Sequence, residues 1–202
     1  MARIELLVLI PESTRKRRGG DPNVPPVDSV LEALPDAAQE KLRRIRTEVH
    51  AKTGKGILEG DLLPAYRRFD GNMYRHIPDE VWEKRDPGVE VLIVSGLLGL
   101  IASRDTIPTY AHSMAEPMPP LGKLNRWWHA QGLPEILRAY LDSTRPATVV
   151  DLLSLEYREA VDGFAEGLKG VRVEVIDFPR LGRGSQPRRG ERAAEILRTG
   201  KV

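Results

Sequence analysis

The 202-residue chain contains no cysteine. That absence removes disulfides, thiolate-bound zinc, iron–sulfur clusters and cysteine nucleophiles from consideration. It also lacks any uninterrupted run of roughly 18 apolar residues, which a membrane-crossing helix would need. The first residues do not follow the charged, apolar and small-residue plan of a secretory signal, so a cytoplasmic protein with no membrane partner is expected. The usual cofactor motifs are missing too. There is no Walker A loop, and Gly96-Leu97-Leu98-Gly99 lacks the glycine spacing of a dinucleotide fingerprint. The four histidines, His50, His76, His112 and His129, occur singly with no i, i+4 pair, so neither a metal site nor a cofactor is expected.

What remains is the composition of a globular chain, 41% hydrophobic and 30% charged, long enough to bury an ordinary core as one domain spanning residues 1–202. The net charge of +2 hides an uneven distribution. Arg15-Lys16-Arg17-Arg18 is a solid basic block, and residues 180–202 carry seven basic against two acidic side chains. Such clusters are either solvated loops or phosphate contacts, and the basic segment 180–202 is a candidate for mobility.

Short apolar stretches alternate with helical ones. IELLVLI (4–10) reads as a strand buried on both faces, and VEVLIV (89–94), TVVDLL (148–153) and VRVEVIDF (171–178) read as further strands. Ala38, Leu42, Ile45 and Val49 fall on one face of a helix that opens at Asp36 and closes at Gly54. Further helices are expected after Pro78-Asp79, directly after Ser95-Gly96, at 123–131, after Pro134, through LEYREAVDGFAEGL and over 190–199. The fold class predicted is α/β: a mixed, largely parallel sheet flanked by helices.

In such sheets ligands bind beyond the carboxyl ends of the strands. Three strand exits therefore matter. The first carries Ser13, Thr14, Arg15 and Lys16; the second carries Ser95 and Gly96; the third carries Ser154, Glu156 and Tyr157. Together they would hold a small anionic or nucleoside-like ligand, although Ser154 can also be read as a helix cap. Arg104, Asp105 and Tyr110 form a further polar set after the second exit; an Arg beside an Asp is ordinarily a surface pair. Trp127-Trp128 suits the core better than base stacking. Arg183, Arg188 and Arg189, in the loop LGRGSQPRRG, are candidates for nucleic-acid contact, and Lys52-Thr53-Gly54-Lys55-Gly56 is a weak hairpin candidate.

Several motifs, taken in order, resemble the YaaA family of peroxide stress proteins. They are Phe69-Asp70-Gly71-Asn72-Met73-Tyr74, Ser95-Gly96-Leu97-Leu98-Gly99 followed by Asp105 and Thr109-Tyr110, Leu124-Asn125-Arg126-Trp127-Trp128, and Asp151 through Ser154, Glu156 and Tyr157. The chain departs from the family pattern at Ala102-Ser103, where an Arg-Pro is usual, and at Ile10-Pro11-Glu12-Ser13-Thr14-Arg15-Lys16, which replaces a Ser-Pro-Ala-Lys-Thr. The resemblance implies an α/β fold with a positively charged cleft, a capacity to bind DNA and a part in limiting iron-driven damage under peroxide.

Two functional readings follow. One is a YaaA-like protein that binds DNA or a phosphate-bearing ligand in a basic cleft. The other is an enzyme acting on a nucleotide, nucleoside or other small polar metabolite, with Glu156 as acid–base or charge-stabilising group and Tyr157 and Ser154 beside it.

Overall fold

A computed structural model describes residues 3–54, 58–179 and 181–202. Its centre is β1 (Leu6–Pro11), all six residues of which are buried. The chain continues through α1 (Ser29–Ala33), α2 (Asp36–Thr53), β2 (Glu59–Pro64), α3 (Ala65–Arg68), α4 (Asp79–Glu83), β3 (Val89–Ser95), β4 (Gly99–Ala102), β5 (Thr106–Thr109), β6 (Pro117–Met118), β7 (Gly122–Lys123), α5 (Leu124–Ala130), α6 (Leu133–Thr144), β8 (Thr148–Asp151), α7 (Leu155–Ala160), β9 (Arg172–Val175) and α8 (Ser185–Thr199).

Five strands form one sheet in the order β4-β3-β1-β8-β9. Pairings β1–β3, β1–β8 and β8–β9 are parallel, and only β4 runs antiparallel. This is the mixed, mostly parallel sheet expected from strands that are apolar on both faces. The chain adds β3 on one side of β1 and then returns to add β8 on the other. The topological switch point therefore lies between β1 and β8.

Leu42, Ile45 and Val49 of α2 are buried as their spacing predicts, and α2 packs with α1 and α6. α2 opens at Asp36 as expected, with Pro35 at the N-cap position and the Asp36 charge in the first turn, where it favours the helix dipole. α8 buries Ala193, Ala194, Ile196 and Leu197, begins earlier than its sequence pattern suggests, and packs on α4 and the turn Tyr74–His76. The segment expected to be one helix from Leu155 stops at Ala160, because Gly163 and Gly167 take positive φ and turn the chain. No helix among the described residues is long and apolar enough to cross a membrane.

A further expectation is corrected at the end of β3. No helix follows Ser95-Gly96. The chain makes a tight turn and returns as β4, with Ser95 opposite Gly99 and Val94 opposite Leu100. Gly99 adopts φ +72° with the Trp128 ring 2.7 Å from where a Cβ would stand, so the turn needs a glycine there. Periodicity could not distinguish the two, since Leu-Leu-Gly-Leu-Ile-Ala is apolar throughout and too short to show a helical face. Arg46 of α2 then fixes the hairpin, donating to the carbonyl oxygens of Leu98 and Leu100 at 2.8 Å each.

The basic loop after β1 is also less irregular than its composition suggests. Arg17 N–H donates to Arg68 O at 2.8 Å, and Asp70 N–H donates to Arg15 O at 3.0 Å. The buried Arg68 guanidinium donates to the carbonyls of Arg17 (2.6 Å), Gly19 (2.8 Å), Asp61 (2.7 Å) and Ile107 (3.3 Å). One side chain thus ties the loop to the small β2–β5 sheet.

Candidate functional site

The fold delivers Glu12 directly beyond β1. Its backbone N–H still bonds Val94 O at 3.0 Å, so the residue keeps strand geometry while its side chain turns into the protein. That carboxylate is fully buried. Oε1 accepts the amides of Gly96 (2.7 Å) and Met114 (2.8 Å); Oε2 accepts the Tyr110 hydroxyl at 2.5 Å. Lys16 Nζ stands 3.6 Å from Oε2, donates to His112 O at 2.8 Å and lies 3.9 Å from the centre of the Tyr110 ring.

Burial pushes the Glu12 carboxyl up from its ordinary range, opposed by the Lys16 charge, the Tyr110 hydroxyl and the two amides. Burial likewise pulls the Lys16 ammonium down, opposed chiefly by Glu12. An ionised carboxylate is acceptor-only, and three donors plus a cation around Glu12 match that state.

Above this pair a cavity of about 520 Å³ opens at the switch point between β1 and β8. Ser13, Thr14 and Arg15 line it from the β1 exit; Ser154, Glu156 and Tyr157 line it from the β8 exit. The third wall is the loop Asp70–Arg75, and Gln186 of α8 closes one side. An adjoining cavity of about 860 Å³ shares Thr14 and Arg15 and reaches Lys16 and Tyr110. Asp70 gathers Arg15 (3.1 Å), Arg75 (3.1 Å) and Arg17 (3.9 Å) at the rim. The Arg75 hydrogen bond holds the Asp70 carboxyl below its ordinary range despite some burial. One carboxylate thus faces three guanidinium groups, and Glu156 brings a second carboxylate to the same cavity.

The predicted residues divide by place. Ser13, Thr14, Arg15, Ser154, Glu156 and Tyr157 come together around one cavity. Ser154 occupies the N-cap position of α7 but its side chain makes no capping bond. Burial pushes the Tyr157 phenol well up, so it stays a protonated donor. Ser95 and Gly96 lie beneath this surface: Ser95 is fully buried and meets the Tyr110 hydroxyl at 2.6 Å, while Gly96 contributes its amide to Glu12. Trp128, fully buried, donates to Gly96 O at 2.7 Å, which is the core role expected for one tryptophan of the pair.

Asp105 does not join this crevice with Tyr110. It is buried and accepts Ser29 N–H (2.8 Å), Ser29 O–H (2.5 Å) and Ala102 N–H (2.8 Å), tying α1 to the β4–β5 turn. Arg104 lies in the wall of a different cavity. Arg189 is only 2% exposed, bonds Asp177 at 3.3 Å and stacks on Phe178, so its guanidinium is turned inward rather than toward a duplex. Arg188 is exposed and paired with Glu191 at 2.8 Å. The side chain of Arg183 and the Lys55-Gly56 part of the hairpin candidate lie outside the described residues. No cluster of three potential metal ligands occurs among the described residues.

Glu12, Asp70 and Arg75 had been given no role from the sequence. A carboxylate placed immediately after an all-apolar strand was the available signal for Glu12.

The arrangement defines a class: an α/β protein with a crevice at the switch point of a mixed, mostly parallel sheet. Within it, residues 23–186 match the family described as peroxide stress protein YaaA, and the chain belongs to that family. It is also similar to a UPF0246 protein of Streptomyces coelicolor, 28% identical over 178 residues, an alignment that covers 77% of this chain and 67% of that protein. The Glu12–Lys16 segment precedes the matched residues.

Proposed function

We propose that this YaaA-family protein acts in the cytoplasm by binding a small phosphate-bearing ligand in the crevice between β1 and β8. The observation that carries the reading is the set of three arginines, Arg15, Arg17 and Arg75, converging on the single carboxylate of Asp70 beside the hydroxyls of Ser13 and Thr14. Guanidinium groups suit phosphate through paired N–H donors, and a cavity of about 520 Å³ is of small-molecule size. Isothermal titration with mononucleotides and inorganic phosphate tests it. Binding that weakens at least about tenfold in Arg15→Gln/Arg75→Gln supports the reading, the scale of one or two lost charge-assisted bonds; binding indifferent to that pair of changes refutes it.

Duplex DNA is the second reading, favoured by the exposure of Arg15 and Arg17, whose side chains are 66% and 49% accessible. It requires affinity that falls steeply with salt and weakens when Arg15, Arg17 and Arg18 are neutralised. The buried Arg189 contributes to the fold in this reading and not to the contact.

A further inference from the structure

At the opposite end of the sheet, beside the starts of β1 and β3, lies a cavity of about 720 Å³ that shares no lining residue with the two at the carboxyl ends. Its floor is a closed ion pair. Arg85, with a side chain 7% exposed, donates from Nη2 to both Glu90 oxygens at 2.9 and 3.0 Å and from Nη1 to Ser103 Oγ at 2.6 Å. Burial pulls its guanidinium down, and Arg104 beside it adds like-charge repulsion.

Arg104 has no carboxylate of its own among the described residues. Only its Nη2 is engaged, at the long distances of 3.4 Å to Glu83 O and 3.5 Å to Trp82 O. Nε and Nη1, which make up the remaining edge of the fork, have no hydrogen bond among the described residues. Tyr140 also faces this cavity; it is 4% exposed, and its hydroxyl has no hydrogen bond among the described residues. Burial and the charges of Glu90 and Asp105 hold that phenol protonated, hence a donor. Ile4, Ala33, Pro87 and Val89 provide apolar wall, and Glu32 of α1 places one carboxylate at the same cavity.

With Arg85 neutralised by Glu90, the free edge of Arg104, the phenolic hydrogen of Tyr140 and the apolar wall suit an anion with a hydrophobic body, bound on the side of the cavity away from Glu32. We propose that this cavity is a second ligand site, which takes a small organic acid: Arg104 and the Tyr140 hydroxyl hold its carboxylate, and the apolar wall covers the rest. The site is independent of the crevice between β1 and β8.

Amide-resolved NMR titration with benzoate tests it, with benzyl alcohol as the uncharged analogue of the same shape. Benzoate should shift the amides of Ala33, Val89 and Ser143 saturably, and benzyl alcohol should not. Arg104→Met should weaken benzoate about tenfold, the scale of one lost bond to a charged group. Arg104 is exposed, so the variant is expected to fold, and the dispersion of its spectrum checks this; Tyr140→Phe, a change of one oxygen, should weaken benzoate in the same direction. Arg15→Gln should leave the shifts at Val89 in place. The proposal fails if the saturable shifts map to the crevice between β1 and β8, if Arg104→Met binds as the parent does, or if benzyl alcohol matches benzoate.

Discussion

Tyr110 donates its phenolic hydrogen to Glu12 Oε2 at 2.5 Å and meets Ser95 Oγ at 2.6 Å, so one hydroxyl couples the exits of β1 and β3. With its proton committed to the carboxylate, Tyr110 accepts from Ser95, whose Oγ in turn accepts Leu98 N–H at 3.2 Å. The chain of donors runs from the β3–β4 turn to Glu12.

Tyr110→Phe removes the one hydroxyl donor that a buried carboxylate has among the described residues, without changing the ring that lies under Lys16. Urea denaturation should show a loss of about 1.5–3 kcal/mol, the range for hydrogen bonds to charged groups. A loss below about 0.5 kcal/mol would show that the hydroxyl contributes little.

Glu12 also predicts a pH dependence. Burial raises its folded pKa above the ordinary 4.5. Over the interval between 4.5 and that raised value, the folded protein holds a proton that the unfolded chain has released. The folded state therefore binds more protons, and stability falls as pH rises through the interval. The unfolding free energy of the parent minus that of Glu12→Gln should decline with rising pH above 4.5, at most about 1.4 kcal/mol per unit, and level off beyond. Urea titrations between pH 4.5 and 8 measure it; a difference that grows with pH contradicts the assignment.

The sheet was legible because its central strands announce themselves. Leu6 to Ile10 and Val91 to Val94 are apolar on both faces, as parallel strands must be. The three strand exits were found by the same rule, and two of them do line the crevice. What escaped sequence reading was long-range pairing. Nothing local says that Glu12 is met by the amides of Gly96 and Met114, residues 84 and 102 positions away. Nor does the Arg104-Asp105 dipeptide show that its two side chains part, one toward Trp82 and Glu83, the other toward Ser29. Arg189 looked like a loop cation because its burial depends on where α8 lands, which its own helical period does not specify.

Arg68 should not tolerate lysine. Its guanidinium reaches four backbone carbonyls in different directions, and an ammonium on a single stem cannot span them. Arg68→Lys leaves several buried carbonyls unpaired, for a cost of about 2–4 kcal/mol. Hydrogen exchange at Arg17 N–H, which bonds the Arg68 carbonyl, should accelerate by more than the global loss of stability accounts for. Equal acceleration at Val8 and Arg17 would mean that the side chain supports the whole fold rather than the basic loop.

Glu156 separates ligand binding from catalysis in the crevice. It is exposed and lines the same cavity as Arg15, Arg75 and Ser13, so a phosphate entering between the arginines meets it as a like charge. If the crevice only binds an anion, Glu156→Gln should tighten mononucleotide affinity by about twofold to fivefold, the effect of removing one solvent-screened repulsion of roughly 0.5–1 kcal/mol. The fold should be indifferent, because the side chain has no hydrogen bond among the described residues to lose. If Glu156 instead stabilises positive charge or transfers a proton on a bound metabolite, the substitution should abolish turnover of that metabolite while leaving its affinity within about twofold, a loss confined to kcat. Calorimetry on the parent and the variant, followed by product analysis of the same mixtures, distinguishes the two: tighter binding with unchanged ligand supports the binding protein, and unchanged binding with product formed only by the parent supports the enzyme.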